Sequence, residues 1–389
     1  MIESRAAIQA ILDQVGTQPT IQLPVEKSLF YVLAEDITSS IDMPPFDQSA
    51  MDGYAVYDSK GTSHKLVGES SAGSVYDKEL KAGESVRIFT GAQVPEGASY
   101  VVKQEDVEVI GEMIEAPIQS IGKNIRPRGE QIKKGEIAVR KGSRVNPGMI
   151  GYLTTLGITT VPVYKRPKVT IISTGSELVS PGKELKKGQI YESNSLMLNT
   201  AILAEGLQCE TKSISDSLEE TREVLRSSIE ENDVLVITGG ISVGDYDYVE
   251  SSLNDIGANK VFHKVAQKPG KPIYFGTKNE KLIFGLPGNP AAALSCFYLY
   301  VIPGLRKMQG SKNPELLRTR GIINSEYNKN NDFTHFLKAK LENGKVDILG
   351  NQSSAMLNAY SESNCIAIIE GPKGLYSKGS EIEIVILPR

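Results

Sequence analysis

Residues 168–299 alternate short apolar runs with amphipathic segments of helical period, and this alternation constrains the fold more than any other feature of the sequence. Parallel strands joined by helices give such a pattern, because each helix must bury one face against the sheet. We therefore predict an α/β domain with a central parallel sheet and helices on both faces. Its predicted strands are 168–172, 210–214, 234–238 and 261–265, followed by 273–276 and 282–286 as a hairpin or two further strands. Its predicted helices are 196–205, 218–231, 246–253 and 290–299, the last with Asn289 as N-cap and Pro290 in the first turn.

The rest of the chain carries short β-like runs separated by Gly and Pro turns, a pattern typical of small β domains. Helical signals there are confined to the first residues and to residues 142–163, where Asn146 and Pro147 open a predicted helix. The predicted fold is a multidomain α/β plus β arrangement. It comprises a discontinuous linking domain of helical and extended structure (1–45 and 142–166), a small N-terminal β domain (46–141), the α/β domain (167–312) and a C-terminal β-barrel-like domain (313–389).

Charge and composition exclude several classes of protein. The net charge of −4 argues against a general nucleic-acid-binding protein, which normally has a basic face. No apolar run approaches the roughly 20 residues of a membrane span, and the N-terminus does not read as a signal peptide. The three cysteines and three histidines show no metal-ligand spacing, which disfavours a His/Cys metal enzyme. We therefore predict a cytoplasmic protein that binds neither nucleic acid nor membrane.

Three loops rich in small residues follow predicted strands of the α/β domain, at residues 173–177, 238–247 and 285–290. Ligands of open parallel sheets bind outside the carboxyl ends of the strands, where glycines let backbone N–H groups approach an anion. Tight turns alone could also explain the glycines of any single loop. Three such loops on one edge indicate a site for a phosphorylated or nucleotide-like ligand. Neither GxxxxGK[ST] nor GxGxxG is present, which disfavours a P-loop ATPase and an NAD enzyme.

Charged residues accompany these loops. The carboxylates of Glu177, Asp216, Asp245 and Asp247 lie at or near them, as expected if Mg²⁺ bridges the protein and an anionic ligand. Each acid could instead be a helix cap or a solvated charge, and Asp247 could cap the helix that follows it.

Lysines form a second group of charged residues near the same loops. Lys264, Lys268 and Lys271 form a basic cluster stiffened by two prolines, which suits a tetrahedral oxyanion. A solvated lysine-rich loop is the competing interpretation of this cluster.

Two loops of the β domain could also face a ligand. Asp52 ends the polar segment 43–52 directly before a predicted strand, and Thr90 opens the small-residue loop 90–95 directly after another.

Six segments, PPFDQSAMDGYAV, FTGAQVPEG, STGSEL, GGISVGDYDY, KPGKP and FGLPGNP, occur in this order within residues 43–290. In these motifs and their order the chain resembles the molybdopterin molybdenumtransferases, the family of MoeA and the gephyrin E domain. The resemblance implies a central α/β domain of the molybdopterin-binding type in a four-domain plan. It also implies an elongated homodimer whose active cleft lies between the α/β domain of one subunit and the β domain of the other.

The implied reaction is insertion of molybdate into adenylylated molybdopterin, with Mg²⁺ required and AMP released. Molybdopterin adenylyltransferase and molybdoenzymes are the implied transient partners. Matched by motif, the catalytic residues are Asp52, Thr90, Glu177, Asp216 and Asp247, of which Glu177, Asp216 and Asp247 hold Mg²⁺. Asp245 is a neighbour in the same loop. The substrate-binding residues are Gly175, Ser176, Gly239, Gly240, Ser242, Gly244, Lys264, Lys268, Lys271, Pro287, Gly288, Asn289 and Pro290, and the molybdate residues are Lys268, Lys271, Lys338, Ser353 and Ser354. The chain has Gln131 and Lys338 where the family usually has Asp and Arg.

Other functions stay open at this point. An adenylyltransferase or pyrophosphatase could use the same α/β unit, although it would need neither the β domain nor the C-terminal domain. A gephyrin-like scaffold, or a molybdopterin-nucleotide-binding protein without transferase activity, would keep the fold and lack the reaction. Tungstate could replace molybdate, because the two oxyanions have nearly the same size and charge.

Overall fold

The structure is a computed structural model that describes residues 1–58, 60–215, 217–241 and 248–388. Residues 1–166 contain the helices α1 (Ser4–Gln14) and α2 (Pro147–Thr155), the 3-10 turns Val25–Lys27 and Gln104–Asp106, and the strands β1 (Thr20–Pro24), β2 (Ile37–Thr38), β3 (Gln48–Ser49), β4 (Gly53–Val56), β5 (Ser63–Ser70), β6 (Glu84–Ile88), β7 (Tyr100–Lys103), β8 (Glu108–Ile110), β9 (Met113–Glu115), β10 (Ile125–Arg126), β11 (Ile137–Val139) and β12 (Thr160–Tyr164). Among the described residues, no helix is both long enough and apolar enough to cross a bilayer.

The helix predicted over residues 142–163 is shorter than expected. It begins where predicted, because the Asn146 side chain accepts a hydrogen bond from the Met149 N–H and Pro147 occupies the first turn. It ends at Thr155, before Gly157 with its φ of +72°. The β-branched run that follows forms β12, which pairs antiparallel with β1. The prediction of helix up to residue 163 was therefore wrong.

The β domain is built on a sheet of strand order β7-β4-β6-β5-β9-β8. Strand β4 is buried along its whole length between β6 and β7, and its side chains pack into two hydrophobic clusters on the two faces of the sheet. Asp52 immediately precedes β4, and Thr90 follows β6. The antiparallel pairing of Gly53 with Ile88 therefore brings these two residues to the same end of the sheet.

The α/β domain contains the strands β13 (Val169–Thr174), β14 (Leu178–Val179), β15 (Ile190–Tyr191), β16 (Cys209–Ile214), β17 (Val234–Thr238), β18 (Asn259–His263), β19 (Gln267–Lys268), β20 (Tyr274–Lys278) and β21 (Lys281–Leu286), and the helices α3 (Asn194–Ala204), α4 (Leu218–Glu231), α5 (Tyr248–Asp255), α6 (Pro290–Cys296) and α7 (Ile302–Met308). Its main sheet has the order β16-β13-β17-β21-β20-β18. The predicted parallel sheet is confirmed for β16, β13, β17 and β21. Strand β20 runs antiparallel to both of its neighbours, β21 and β18, so β18 has the same direction as the four parallel strands. The reversal at β20 arises because only Asn279 and Glu280, both with positive φ, join β20 to β21 in a tight hairpin.

The last helical segment of this domain extends beyond the predicted end at residue 299. Helix α6 continues through a π-helical segment, Phe297–Val301, directly into α7. Pro303 directly follows the π-helical segment, and the helical backbone continues through it into α7. Helix α1 packs against this segment and buries Ala7, Ile8 and Ile11 in the same core as β13 and β17.

The C-terminal domain contains the strands β22 (Arg318–Ile323), β23 (Tyr327–Lys329), β24 (Thr334–Glu342), β25 (Lys345–Ile348), β26 (Cys365–Ile369), β27 (Gly374–Tyr376) and β28 (Glu381–Ile386), with a 3-10 turn at Asn358–Ser361. Strands β24, β25, β22, β28 and β26 form a closed barrel, because β26 also pairs with β24. The predicted β-barrel-like domain is thus confirmed. Strand β19 of the α/β domain pairs with β24, so the barrel is joined directly to the segment that carries Lys268.

Candidate functional site

Three loops meet at the carboxyl edge of the α/β sheet, as the alternating sequence predicts. The parallel register places Ser173 beside Thr238 and Thr238 beside Leu286, so β13, β17 and β21 end at the same level. Beyond these ends lies a pocket of about 680 Å³, which we call the glycine pocket. The predicted residues that line it are Gly175, Glu177, Gly239, Gly240, Pro287, Gly288, Asn289 and Pro290. The binding edge predicted from the loops is therefore a real concavity.

Packing requires two of the glycines of this pocket, in addition to any need for a ligand to approach the backbone. Gly239 and Gly240 have φ values of +87° and +59°, which residues with a side chain rarely adopt. A Cβ on Gly239 would lie 2.7 Å from the Thr174 carbonyl oxygen, and one on Gly240 would lie 2.8 Å from Thr174 Oγ1. The loop after β17 therefore packs directly on the end of β13, and only glycine fits there.

A second pocket, of about 530 Å³, adjoins the first and contains the predicted basic cluster. We call it the lysine pocket. It is lined by Lys268 and Lys271 from the α/β domain and by Ser353 and Ser354 from the C-terminal domain. Both pockets are lined by Pro272, Pro287 and Asn289. Two cations thus stand beside the cavity that the glycine loops form.

The C-terminal domain is fastened to this edge by hydrogen bonds. Asn289 Nδ2 donates to Ser354 Oγ at 2.9 Å, and the Ala292 N–H donates to the Ser354 carbonyl oxygen at 3.1 Å. Asn289 occupies the predicted N-cap position of α6, but its side chain makes no capping hydrogen bond there. Its amide instead holds the loop of the barrel that carries Ser353 and Ser354, which we call the serine loop, against the two pockets.

Asp52 and Thr90 form a separate exposed site on the β domain. One carboxylate oxygen of Asp52 accepts hydrogen bonds from the Thr90 N–H at 2.7 Å and from Thr90 Oγ1 at 2.8 Å. These bonds, with a smaller contribution from the nearby Arg87 charge, lower the pKa of Asp52 below its usual value. Neither residue lines the two pockets of its own chain.

Three sequence profiles match the chain in order. They are described as the MoeA N-terminal region (domain I and II) over residues 2–157, a probable molybdopterin binding domain over 170–307, and the MoeA C-terminal region (domain IV) over 320–387. Molybdopterin molybdenumtransferase from Staphylococcus aureus (strain Mu50 / ATCC 700699) is 35% identical over 404 aligned residues, which cover 99% of this chain and 95% of the relative. The chain belongs to the MoeA family of molybdopterin molybdenumtransferases.

Further relatives agree with this assignment. The enzyme of that name from Staphylococcus epidermidis (strain ATCC 12228 / FDA PCI 1200) is 34% identical, with 99% of this chain and 95% of the relative covered. The crystal structure of the molybdopterin biosynthesis moeA protein from Pyrococcus horikoshii OT3 superposes with a TM-score of 0.85 at 31% identity, and all of both chains is covered. The predicted family, its multidomain fold and its class, a transferase of molybdenum cofactor biosynthesis, are thereby confirmed.

Lys338 has a different position in this MoeA-family chain from the one expected of a molybdate ligand. Its ammonium group is buried and donates hydrogen bonds to the carbonyl oxygens of Asn351, Ser353 and Met356 at 2.8, 3.1 and 3.1 Å. All three N–H bonds are thus used, and Lys338 lines neither pocket. Burial also lowers its pKa. Lys338 therefore holds the serine loop in place, and the structure does not support a direct contact with the oxyanion.

Several other predicted residues lie apart from the pockets or outside the described residues. Lys264 lines neither pocket, and its carbonyl oxygen accepts the Ile2 N–H at 3.2 Å. Ser176 lies between Gly175 and Glu177 in the loop after β13. The predicted residues outside the described part of the chain are Asp216, Ser242, Gly244, Asp245 and Asp247. Within the described ranges, no group of three or more His, Cys, Asp or Glu residues could hold a metal.

The sequence analysis overlooked a segment of the glycine pocket that precedes α3. Glu192, Ser193 and Asn194 line the pocket, and Asn194 Nδ2 donates to Thr238 Oγ1 at 2.7 Å and to the Gly288 carbonyl oxygen at 2.8 Å. Asn194 thereby ties the loops after β17 and β21 to the start of the helix. The prediction that the helix begins at residue 196 left these residues outside any element. The polar run before that helix was the available signal.

Proposed function

We propose that this protein inserts molybdate into adenylylated molybdopterin, with release of AMP and a requirement for Mg²⁺. The observation that carries the proposal is the junction of the two pockets, which share Pro272, Pro287 and Asn289. One pocket has the glycine loops that suit a pyrophosphate, and the other has two lysines that suit an oxyanion. A reaction between a nucleotide-linked pterin and an oxyanion needs such neighbouring sites.

The glycine pocket supports binding of the nucleotide-linked substrate. Loops without side chains at Gly239 and Gly240 let phosphate oxygens approach the backbone closely. A cavity of about 680 Å³ is within the range of small-molecule sites. In the proposed complex the pyrophosphate lies against these loops, and the dithiolene end of the pterin points toward the lysine pocket.

Lys268 and Lys271 attract and hold the oxyanion in the proposed mechanism. Both line the pocket with exposed side chains, and Lys271 Nζ lies 5.5 Å from the Phe333 ring centroid. Ser353 and Ser354 add hydroxyl donors from the opposite domain. Compact ammonium charges combined with hydroxyl donors suit a tetrahedral dianion without selecting strongly between molybdate and tungstate.

Mg²⁺ would be held by Glu177 together with Asp216 and Asp247. Glu177 lines the glycine pocket, and a carboxylate oxygen is the ligand type that Mg²⁺ prefers, so the described residue fits the ion. When bound, the ion neutralises charge on the pyrophosphate and the leaving AMP. The other two carboxylates lie outside the described residues.

The bond changes balance without a covalent enzyme intermediate. The dithiolene sulfurs form two Mo–S bonds, and one molybdate oxygen leaves as water with the two thiol protons. A second water breaks the phosphoanhydride P–O bond, which leaves a phosphate on the pterin and releases AMP. Lys268 and Lys271 orient the oxyanion during this exchange, and preorganised charges of this kind are an effective source of catalysis.

We also propose that the working unit is a homodimer in which Asp52 and Thr90 reach the pockets of the partner subunit. No residue from 46–141 lines either pocket of its own chain in the described ranges, although Asp52 carries an ionised carboxylate poised by Thr90. A closed symmetric dimer would bring this site to the partner's α/β domain.

The test is AMP release from adenylylated molybdopterin in the presence of Mg²⁺ and molybdate, with Asp52→Ala measured in parallel. We expect AMP release that depends on molybdate and fails in the variant. The leaving group distinguishes this reaction from that of an adenylyltransferase, which would consume ATP. Tight binding of the pterin nucleotide without AMP release would refute the transferase and leave a binding or scaffold protein.

A further inference from the structure

A buried glutamine lies directly beneath the loop that carries the two lysines. Gln267 is 1% exposed and immediately precedes Lys268. Its Nε2 donates hydrogen bonds to the carbonyl oxygens of Pro269 at 3.0 Å and Gly270 at 3.2 Å. Both carbonyl groups belong to the short segment between Lys268 and Lys271. One side-chain amide therefore fixes the backbone from which both cations extend.

The glutamine is itself oriented by a tyrosine of the continuous helical segment that runs from α6 to α7. The Tyr300 hydroxyl donates a hydrogen bond to Gln267 Oε1, and both side chains are buried. Tyr300 lies in the π-helical segment Phe297–Val301, a type of distortion that occurs frequently at functional sites. Burial keeps the hydroxyl protonated, since it raises the pKa of Tyr300 well above its usual value. The amide of Gln267 thus has a fixed orientation.

The packing around this pair leaves the loop little freedom. Gly270 has a φ of +78°, and a Cβ there would overlap with Cys296 Sγ, which lies beneath the loop. The flanks are held as well, because Lys268 pairs with His335 of β24 and the Val265 N–H donates to the Lys271 carbonyl oxygen at 3.0 Å. Without the amide of Gln267, the central part of the loop would keep only the weak hydrogen bond from Cys296 Sγ to the Gly270 carbonyl oxygen at 3.9 Å, besides the contacts at its ends.

We propose that Tyr300 and Gln267 are positioning residues that set the affinity for molybdate through the loop that carries the two lysines. Gln267 borders the lysine pocket, whereas Tyr300 does not line it. They hold the segment 268–271 so that the two ammonium groups converge on one oxyanion. The inference rests on the proposed use of the lysine pocket for molybdate. The proposed role of these two buried residues in substrate binding follows from the hydrogen bonds that they make.

The test compares Tyr300→Phe and Gln267→Met with the unmodified chain in two measurements. Equilibrium dialysis gives the Kd for molybdate, and AMP release gives KM for molybdate and kcat. We expect Kd and KM for molybdate to rise by roughly tenfold, as for other residues that orient ligating groups from behind. The value of kcat at saturating molybdate and the Kd for the pterin nucleotide should stay within about twofold, since the glycine pocket is unchanged.

Tyr274→Phe is the matched control. Tyr274 is also buried, and its hydroxyl has no hydrogen-bond partner among the described residues. Its variant should bind molybdate as the unmodified chain does. If the unmodified chain binds no molybdate, the proposed function of the lysine pocket fails. The positioning role is overturned if the unmodified chain binds molybdate and both test variants have the same Kd for molybdate. It is also overturned if the variants lose affinity for molybdate and for the pterin nucleotide to the same extent.

Discussion

His335 illustrates how a single buried residue can couple the site to pH. Its Nδ1 accepts a hydrogen bond from the Tyr327 hydroxyl at 2.7 Å, and its Nε2 donates to Asn331 Oδ1 at 3.0 Å, which fixes the neutral tautomer. Asn331 in turn lines the lysine pocket. Burial, followed by the charges of Lys268 and Lys329, lowers the pKa of His335 to about 4.

We therefore predict that the barrel loses stability in mild acid. Between the unfolded pKa of 6.5 and the folded value of about 4, the unfolded chain binds more protons at this site. The free energy of unfolding should then fall as pH decreases through this window, by up to about 3 kcal/mol. Urea unfolding at several pH values measures the loss. His335→Gln should lose correspondingly less over the same window, and an identical pH dependence in the variant would contradict the assignment to His335.

At the scale of elements, the start of α2 offers a direct test of capping. Asn146 Oδ1 accepts the Met149 N–H at 2.8 Å, whereas Ser193, in the same position before α3, makes no such bond with its side chain. Asn146→Ala should lower the free energy of unfolding by about 1 kcal/mol. Ser193→Ala is the control and should change it by less than half as much. Equal losses measured by urea unfolding would mean that the cap contributes nothing specific.

The same scale shows which elements could be predicted from the sequence. Helix α4 and strand β17 match their predicted bounds, because local period and flanking residues determine both. The end of α2 and the π-helical segment were missed, because each depends on partners distant in the chain: β12 pairs with β1, and Tyr300 bonds to Gln267 from 33 residues away. A local sequence pattern does not determine such long-range contacts.

In the candidate site, too, local features could be predicted from the sequence and contacts with distant residues could not. The glycine loops were predicted because strand ends and small residues are local features, and the sheet brings them together by rule. The role of Lys338 could not be predicted, because its three acceptors lie 13 to 18 residues further along the chain in a loop without regular structure. Asn194 was missed for a similar reason, since its partner Thr238 is 44 residues away.

At the scale of the whole molecule, the residues with a proposed function are distributed over three of its parts. The glycine loops and Lys271 belong to the α/β domain, the serine loop belongs to the barrel, and Asp52 with Thr90 belongs to the β domain. Hydrogen bonds through Asn289 join the first two parts within one chain. The proposed dimer would join the third, and the position of Asp52 can therefore be tested by mixing subunits.

Two inactive variants should restore activity to each other if the cleft is shared. Asp52→Ala damages the β domain's contribution and Lys271→Ala damages the lysine pocket, so each homodimer has two defective sites. In a mixed dimer, each site takes its two pockets from one chain and Asp52 from the other chain. One site therefore has both defects, and the other site has neither. Random exchange of equal amounts makes half of the dimers mixed, and AMP release should return to about a quarter of the unmodified rate. A double variant carrying both changes in one chain, mixed with the unmodified protein, is the control. Absence of any recovery after verified exchange would mean that Asp52 serves the pockets of its own chain.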